Sequence, residues 1–202
     1  MNKVNKNKKS IKVKEIAEFY SYWSNYPRYY NFLSCFFGYH EYLKRKAIKM
    51  LDIKDNNIIL DIGCGPGSSF KLFKKYGEGV QIIGVDCSSG MIEKSSKRKV
   101  DKVKLICGDI ANMKLLRVNK AVSIKSFSAI LEHEKALDNV YNSLLKGGKL
   151  VIFDMVPNKF MKFLRYGKSY QEKDLVKVIK RKFKKVKILK YPLGVFIAVI
   201  DR

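Results

Sequence analysis

Seven short apolar runs punctuate this chain, most of them separated by polar stretches with helical spacing or by turn residues. The runs are Ile58 to Ile62, Val80 to Val85, Val103 to Cys107, Ala121 to Ile124, Leu150 to Phe153, Lys185 to Leu189 and Val195 to Ile200. Each has strand length and β-branched character, which favours a pleated, buried setting. The segment Ser68 to Tyr76 reads as a basic helix. Leu131 to Leu145 carries apolar residues at Leu137, Val140, Tyr141, Leu144 and Leu145, a helix with one buried face closed by Gly147-Gly148. Ser169 to Glu172 reads as a capping box for a helix that buries Leu175, Val178, Ile179 and Phe183. Strands alternating with helices predict an α/β fold with a mostly parallel sheet. The last two runs, joined through Tyr191 to Gly194, predict a closing strand pair.

Chemistry concentrates where the runs end. The first ends in Asp61 and opens into Gly63-Cys64-Gly65-Pro66-Gly67 before a helix. Glycines at such a turn adopt positive φ and admit a ligand against bare backbone. An acid at the base of that loop repels a pyrophosphate and attracts a cation. S-adenosylmethionine (SAM), with an α-amino group and a sulfonium, fits where a dinucleotide does not. The second run ends in Asp86, placed for the two hydroxyls of a ribose. The third ends at Gly108-Asp109, suited to an adenine amino group. The fourth leads to Lys125-Ser126.

The ordered motifs LDIGCGPG, GVDCSSGMIEKS, CGDIANM and NSLLKGGKLVIFD resemble a class I SAM-dependent methyltransferase over roughly residues 41 to 202. Within that class the chain is most similar to the UbiE-like (ubiquinone/menaquinone biosynthesis) and phospholipid N-methyltransferase group. That narrower likeness rests on Tyr29-Tyr30-Asn31, Gly38-Tyr39-His40 and Lys44-Arg45. The resemblance implies a three-layer Rossmann-like fold with a seven-stranded, mostly parallel sheet and an antiparallel last strand. It also implies roles. Asp61 and the backbone of Gly63, Cys64, Gly65, Pro66 and Gly67 would hold the methionine moiety, and Asp86 the ribose. Cys87 and Met91 would line the adenine, with Gly108, Asp109 and Ile110 at its edge. Lys125 and Ser126 would face the methyl group, and the product would be S-adenosylhomocysteine. A cation at Lys125 calls for an outward orientation or an acidic acceptor. Asn119-Lys120 replaces the acid usual before strand four, a change expected on the surface. The stretch Met155 to Ser169 is shorter than in the UbiE-like group.

Methyl transfer from a sulfonium is an in-line displacement, and a base is needed only for an acceptor that must lose a proton. The chain has two histidines. His133, flanked by Glu132 and Glu134, follows strand four and is the candidate base; His40 reads as structural. Cys35, Cys64, Cys87 and Cys107 have no paired short spacing, so no metal site is expected and reduced, buried thiols are. A cysteine nucleophile of the cytosine-C5 type and an Asn-Pro-Pro-Tyr motif are both missing from the strand-four stretch.

Composition adds one outlier. Lys and Arg number 42 against 18 Asp and Glu, a net charge of +24. Residues 1 to 14 hold no acid and read as a disordered basic tail. Residues 15 to 202 read as one domain, with an aromatic helical cap over 15–50 that supplies walls for a substrate cavity. Tyr20 and Tyr26 are polar candidates within it. A second basic stretch runs from Lys159 to Lys190. Such charge attracts an anionic membrane surface or RNA, or is solvated surface without a partner. With no signal-like or membrane-spanning stretch, a cytoplasmic location is expected, with membrane contact as an addition. The expectation is methyl transfer from SAM to an amphipathic or aromatic small molecule. The alternatives are an RNA methyltransferase and a non-catalytic SAM-binding protein.

Overall fold

The structure, a computed structural model, describes residues 11–18, 37–155 and 175–202. A helical stretch covers 11–18. It is followed in order by α1 (Phe37–Met50), β1 (Ile58–Ile62), α2 (Phe70–Phe73), β2 (Gln81–Asp86), α3 (Ser89–Ser96) and β3 (Val103–Cys107). Then come β4 (Val118–Ile124), α4 (His133–Ser143), β5 (Leu144–Met155), α5 (Leu175–Lys182), β6 (Val186–Lys190) and β7 (Val195–Asp201).

All seven expected strands form, in one sheet of order β3-β2-β1-β4-β5-β7-β6. Pairings from β3 through β5 are parallel, and β7 is antiparallel to both β5 and β6. The α/β class and the antiparallel last strand are as the motifs implied. The chain leaves β1 to build β2 and β3 on one side and then returns to place β4 on the other. That reversal opens a crevice at the carboxyl ends of β1 and β4, where open α/β sheets bind ligands.

Period-two alternation sorts side chains to two faces. Ile59, Val122, Val151, Phe153, Ile197 and Val199 pack with Leu43, Ala47 and Ile48 of α1 and with Phe70 and Phe73 of α2. On the opposite face Leu60, Ile62, Ala121, Leu150, Ile152 and Ala198 meet Leu137 and Val140 of α4 and Val178 and Ile179 of α5. The result is three layers. Burying one such side chain contributes roughly 1.5–3 kcal/mol, so the sheet is a firm platform for what its ends carry.

Several local expectations change. The helix after the glycine loop shortens to Phe70–Phe73, flanked by turns. The helix expected over Leu131 to Leu145 spans His133–Ser143, and β5 starts at once with Leu144. Gly147-Gly148 therefore does not close the helix. It lies within β5 where the β4 register shifts between Val118 and Lys120, and Gly147 takes φ 76°. Asn119-Lys120 is not a surface change: Asn119 Oδ1 accepts from Ile58 N at 2.8 Å, and Lys120 is buried within β4. Residues 11–14, assigned to the tail, are helical. The aromatics from Phe19 to Phe36, with Tyr20 and Tyr26, lie outside the described residues. So do residues 1–10, the loop from Val156 to Ser169 and the capping box. No helix among the described residues is long and apolar enough to cross a membrane.

Candidate functional site: a glycine loop between strand-end acids

Gly63, Gly65 and Gly67 take φ of 63°, 52° and 71°, the left-handed region that a side chain makes costly. They differ in what surrounds them. A Cβ on Gly63 would stand 2.4 Å from Ser126 Cβ, and one on Gly67 2.6 Å from the Phe70 ring. A Cβ on Gly65 would meet nothing within 4 Å among the described residues. Gly65 thus faces open space, the cradle a ligand needs. The loop is anchored from both sides. Cys64 N donates to Val85 O at 3.0 Å, and Ser126 Oγ donates to Ile62 O at 2.6 Å while pairing with Ser123 Oγ at 2.7 Å. Ser126, expected near the methyl group, locks the end of β1 to the end of β4.

Two strand-end carboxylates flank this cradle, Asp61 buried and Asp86 half-buried. Asp61 is 2 % exposed. Its alternation places it on the α1 side of the sheet, and desolvation pushes its carboxyl up to about 7, helped by the charge of Asp86 and opposed by the Lys44 ammonium. Burial likewise raises Asp86, opposed by backbone N–H donors. Asp86 Oδ2 accepts from Gly65 N and Oδ1 from Ser88 N, each at 2.9 Å. A carboxylate has about four acceptor sites, so lone pairs remain for two hydroxyls. Ser88 caps α3 by accepting from Met91 N at 3.2 Å, which fixes Cys87 and Met91 beside the loop. Burial raises the Cys87 thiol to about 12 and pushes the Cys64 thiol up further. Cys107 is exposed, contrary to the expectation of buried thiols, and with Cys64 and Cys87 it is free.

Gly108 N donates to Asp86 O at 2.9 Å, tying β3 to β2 at the same edge. Asp109 accepts from Ala111 N at 3.0 Å and from Asn112 Nδ2 at 2.5 Å, and Ile110 is buried beside it. Arg98 Nε donates to Pro66 O at 2.8 Å, holding the outer turn of the loop. The expected cofactor residues therefore gather along the carboxyl edge of β1 to β4.

His133 is the exception. It is the first residue of α4, buried, with its ring stacked on Phe127 at 6.2 Å between centroids. Beside the crevice lies instead a small pocket lined by His40, Lys125, Phe153, Asp154, Met155 and Val195. Lys125, at φ 57°, is exposed at its rim, and its N–H donates to Phe153 O at 2.7 Å. Asp154 is buried; Ser128 N and Oγ donate to it at 2.8 and 2.9 Å, and Met155 N at 2.8 Å. The sequence pattern did not mark out Asp154, although an acid stands next to last in β5. Nor did it weigh His40 with Lys44. These lie one turn apart on α1, and Lys44 Nζ reaches Ser68 O at 3.4 Å beside the loop.

A seven-stranded sheet of this order, with a glycine loop between strand-end acids, defines the class I SAM-dependent methyltransferase fold. The chain belongs to the family described as methyltransferase domain, whose profile matches residues 53–194. Among curated proteins it is 33% identical over 106 residues to a carboxy-S-adenosyl-L-methionine synthase of Shewanella pealeana, covering 48% of this chain and 44% of that one. It is 27% identical over 131 residues to the ubiquinone/menaquinone biosynthesis C-methyltransferase UbiE of Hydrogenovibrio crunogenus, covering 58% and 50%. The chain spans about half the length of the curated relatives it matches. Among solved structures, the methyltransferase complexed with the Trm112 activator in Haloferax volcanii superposes with a TM-score of 0.71 at 12% identity, over 90% of this chain and 96% of that one. That likeness speaks for the fold.

Proposed function

We propose that the protein transfers a methyl group from SAM to an amphipathic or aromatic small molecule, of quinone-precursor or lipid-headgroup type, leaving S-adenosylhomocysteine. One observation carries the reading: Gly65 opens onto free space between Asp61 and Asp86, a cradle that suits a cationic nucleoside and not a pyrophosphate. Bound there, SAM supplies an electrophilic methyl carbon on a good leaving group. The chain does the rest by binding and orientation. Asp61 attracts the α-amino group, with the loop amides of Gly63 to Gly67 around it. Asp86 accepts from the ribose hydroxyls. Cys87, Met91, Gly108, Asp109 and Ile110 bound the adenine, and Lys125 and Ser126 stand toward the methyl group. Alignment in a water-poor crevice supplies most of the rate.

Support for the acceptor class comes from the UbiE likeness and from the aromatic residues ahead of α1. The basic surface favours a second reading, RNA as acceptor. Arg181 and Lys182 on α5 and Lys184, Lys185, Lys187 and Lys190 in and before β6 crowd one end of the sheet. Contact with an anionic membrane would use the same charge. A non-catalytic SAM-binding protein is the third.

The test is to incubate the protein with methyl-labelled SAM and an extract of its own organism and partition the label. Label in the organic phase is the expected result, and label in RNase-sensitive material replaces the small-molecule reading with the RNA one. Absence of transfer with SAM still bound, measured by calorimetry, leaves only the binding protein. Asp61→Ala is expected to abolish both binding and transfer.

A further inference from the structure

We infer that His40, on α1, is the group that takes the proton from the acceptor, and that the acceptor is a neutral acid such as a phenol, an enol or a stabilised carbon acid. This deepens the methyltransferase reading and rests on it. The pocket that His40 lines adjoins the crevice, because Lys125, on its rim, directly precedes the Ser126 that interlocks with the glycine loop. Its walls come from four elements: His40 from α1, Lys125 from the end of β4, Phe153 to Met155 from β5 and Val195 from β7.

Among its polar groups, Asp154 is already satisfied by three donors. His40 Nδ1 is buried and has no hydrogen-bond partner among the described residues. A buried polar atom without a partner costs about 1–3 kcal/mol, a cost that is relieved when a donor arrives. A neutral imidazole nitrogen beside a methyl donor can accept such a donor and then its proton. The ring is held by packing, tilted against Phe153 at 6.4 Å and Tyr39 at 6.2 Å.

Charge decides the acceptor class. Lys125 favours an acceptor that becomes anionic and disfavours a protonated amine. Among the described residues, the groups facing His40 are Tyr39 on its own helix, Lys125, and Asp154, the last spoken for by Ser128 and Met155. Burial first and Lys125 second lower the pKa of His40 from its ordinary value, so the ring stays neutral at physiological pH and is ready to accept. His133 differs in place: it is stacked on Phe127 and does not line the pocket.

The step balances. The acceptor's O–H or C–H proton passes to His40, and the freed electron pair forms the new bond to the methyl carbon. The carbon–sulfur bond breaks with its pair returning to sulfur, which loses its positive charge. The imidazolium then releases its proton to water.

The experiment compares wild type, His40→Gln, His40→Asn and His133→Gln in label transfer from SAM into extract across pH 5 to 9. SAM binding and thermal melting are measured on each. Expected is a loss of about 100-fold in both His40 variants, with SAM affinity within about twofold and the acid limb of the wild-type pH profile gone. Active wild type with His40 variants within threefold of it, acid limb intact, overturns the assignment alone. Inactive wild type that binds SAM overturns the methyl-transfer reading and this with it. A readout independent of activity is the NMR titration of the two imidazoles. His40 should titrate below its usual range and move up in Lys125→Met. A normal value unaffected by that change also overturns the proposal.

Discussion

At Gly63 an added methyl group would stand 2.4 Å from Ser126 Cβ, while at Gly65 it would stand in open space. Both residues have positive φ, so both substitutions carry roughly 1–2 kcal/mol of backbone strain. Gly63→Ala should therefore lose fold and binding together. Gly65→Ala should fold, melt a few degrees lower and bind SAM at least ~10-fold more weakly, because the new methyl occupies ligand space. Calorimetry and a melting curve on each variant separate the two. Asp61 makes a second residue-scale prediction. With its carboxyl pushed up to about 7, the folded protein holds a proton that the unfolded chain has released. Folding stability from this group is thus full below the ordinary carboxylate value and is lost as pH rises through about 7. Asp61→Asn should raise the ligand-free melting point at pH 8 by roughly 5 °C, about 2 kcal/mol for this chain length. SAM affinity of the wild type should fall as pH drops below 7, since the proton competes with the cation.

These residues were legible because glycine spacing and a terminal acid are local signals. His40 and Asp154 were not, because their meaning arises from α1 crossing the ends of β4 and β5, which no local pattern states. Lys125 sits between the two cases: its charge was noticed from the sequence, its pocket was not.

Elements show the same division. The strands announced themselves by apolar runs, and each formed over its expected run, with β5 beginning well ahead of it at Leu144. Helix ends were misjudged where tertiary pairing overrode a local stop. Gly147-Gly148 looks like a helix terminator, yet β4 recruits the chain from Leu144 onward and the glycines absorb the register shift instead. Helix α5 offers a quantitative check. Leu175 is 3 % exposed and packs within the α4–α5 face, so Leu175→Ala should cost about 2–4 kcal/mol in urea unfolding. The ion pairs bridging α5 to α4, Lys182–Asp138 at 2.6 Å and Arg181–Glu134 at 2.5 Å, should contribute under ~1 kcal/mol each in a double-mutant cycle because at least one partner of each is exposed to water.

At the scale of the molecule the charge of +24 is the dominant long-range property. It predicts binding to any polyanion at low ionic strength, weakening steeply with salt as counterions are displaced. Retention on immobilised RNA should vanish by roughly 0.3 M salt. If the acceptor is a small molecule, methyl transfer should continue across that range, and a parallel decline would point to RNA.

The position of β7 has a further consequence. This strand lies between β5 and β6 and is buried along Val195 to Ile200, yet it is the last of the seven to leave the ribosome. While the intervening residues are being made, β5 presents an open, apolar edge that only β7 can close. The nascent chain must keep that edge from pairing with a neighbouring copy, so production in cells should depend on synthesis rate and chaperone supply more than the stability of the finished sheet would suggest.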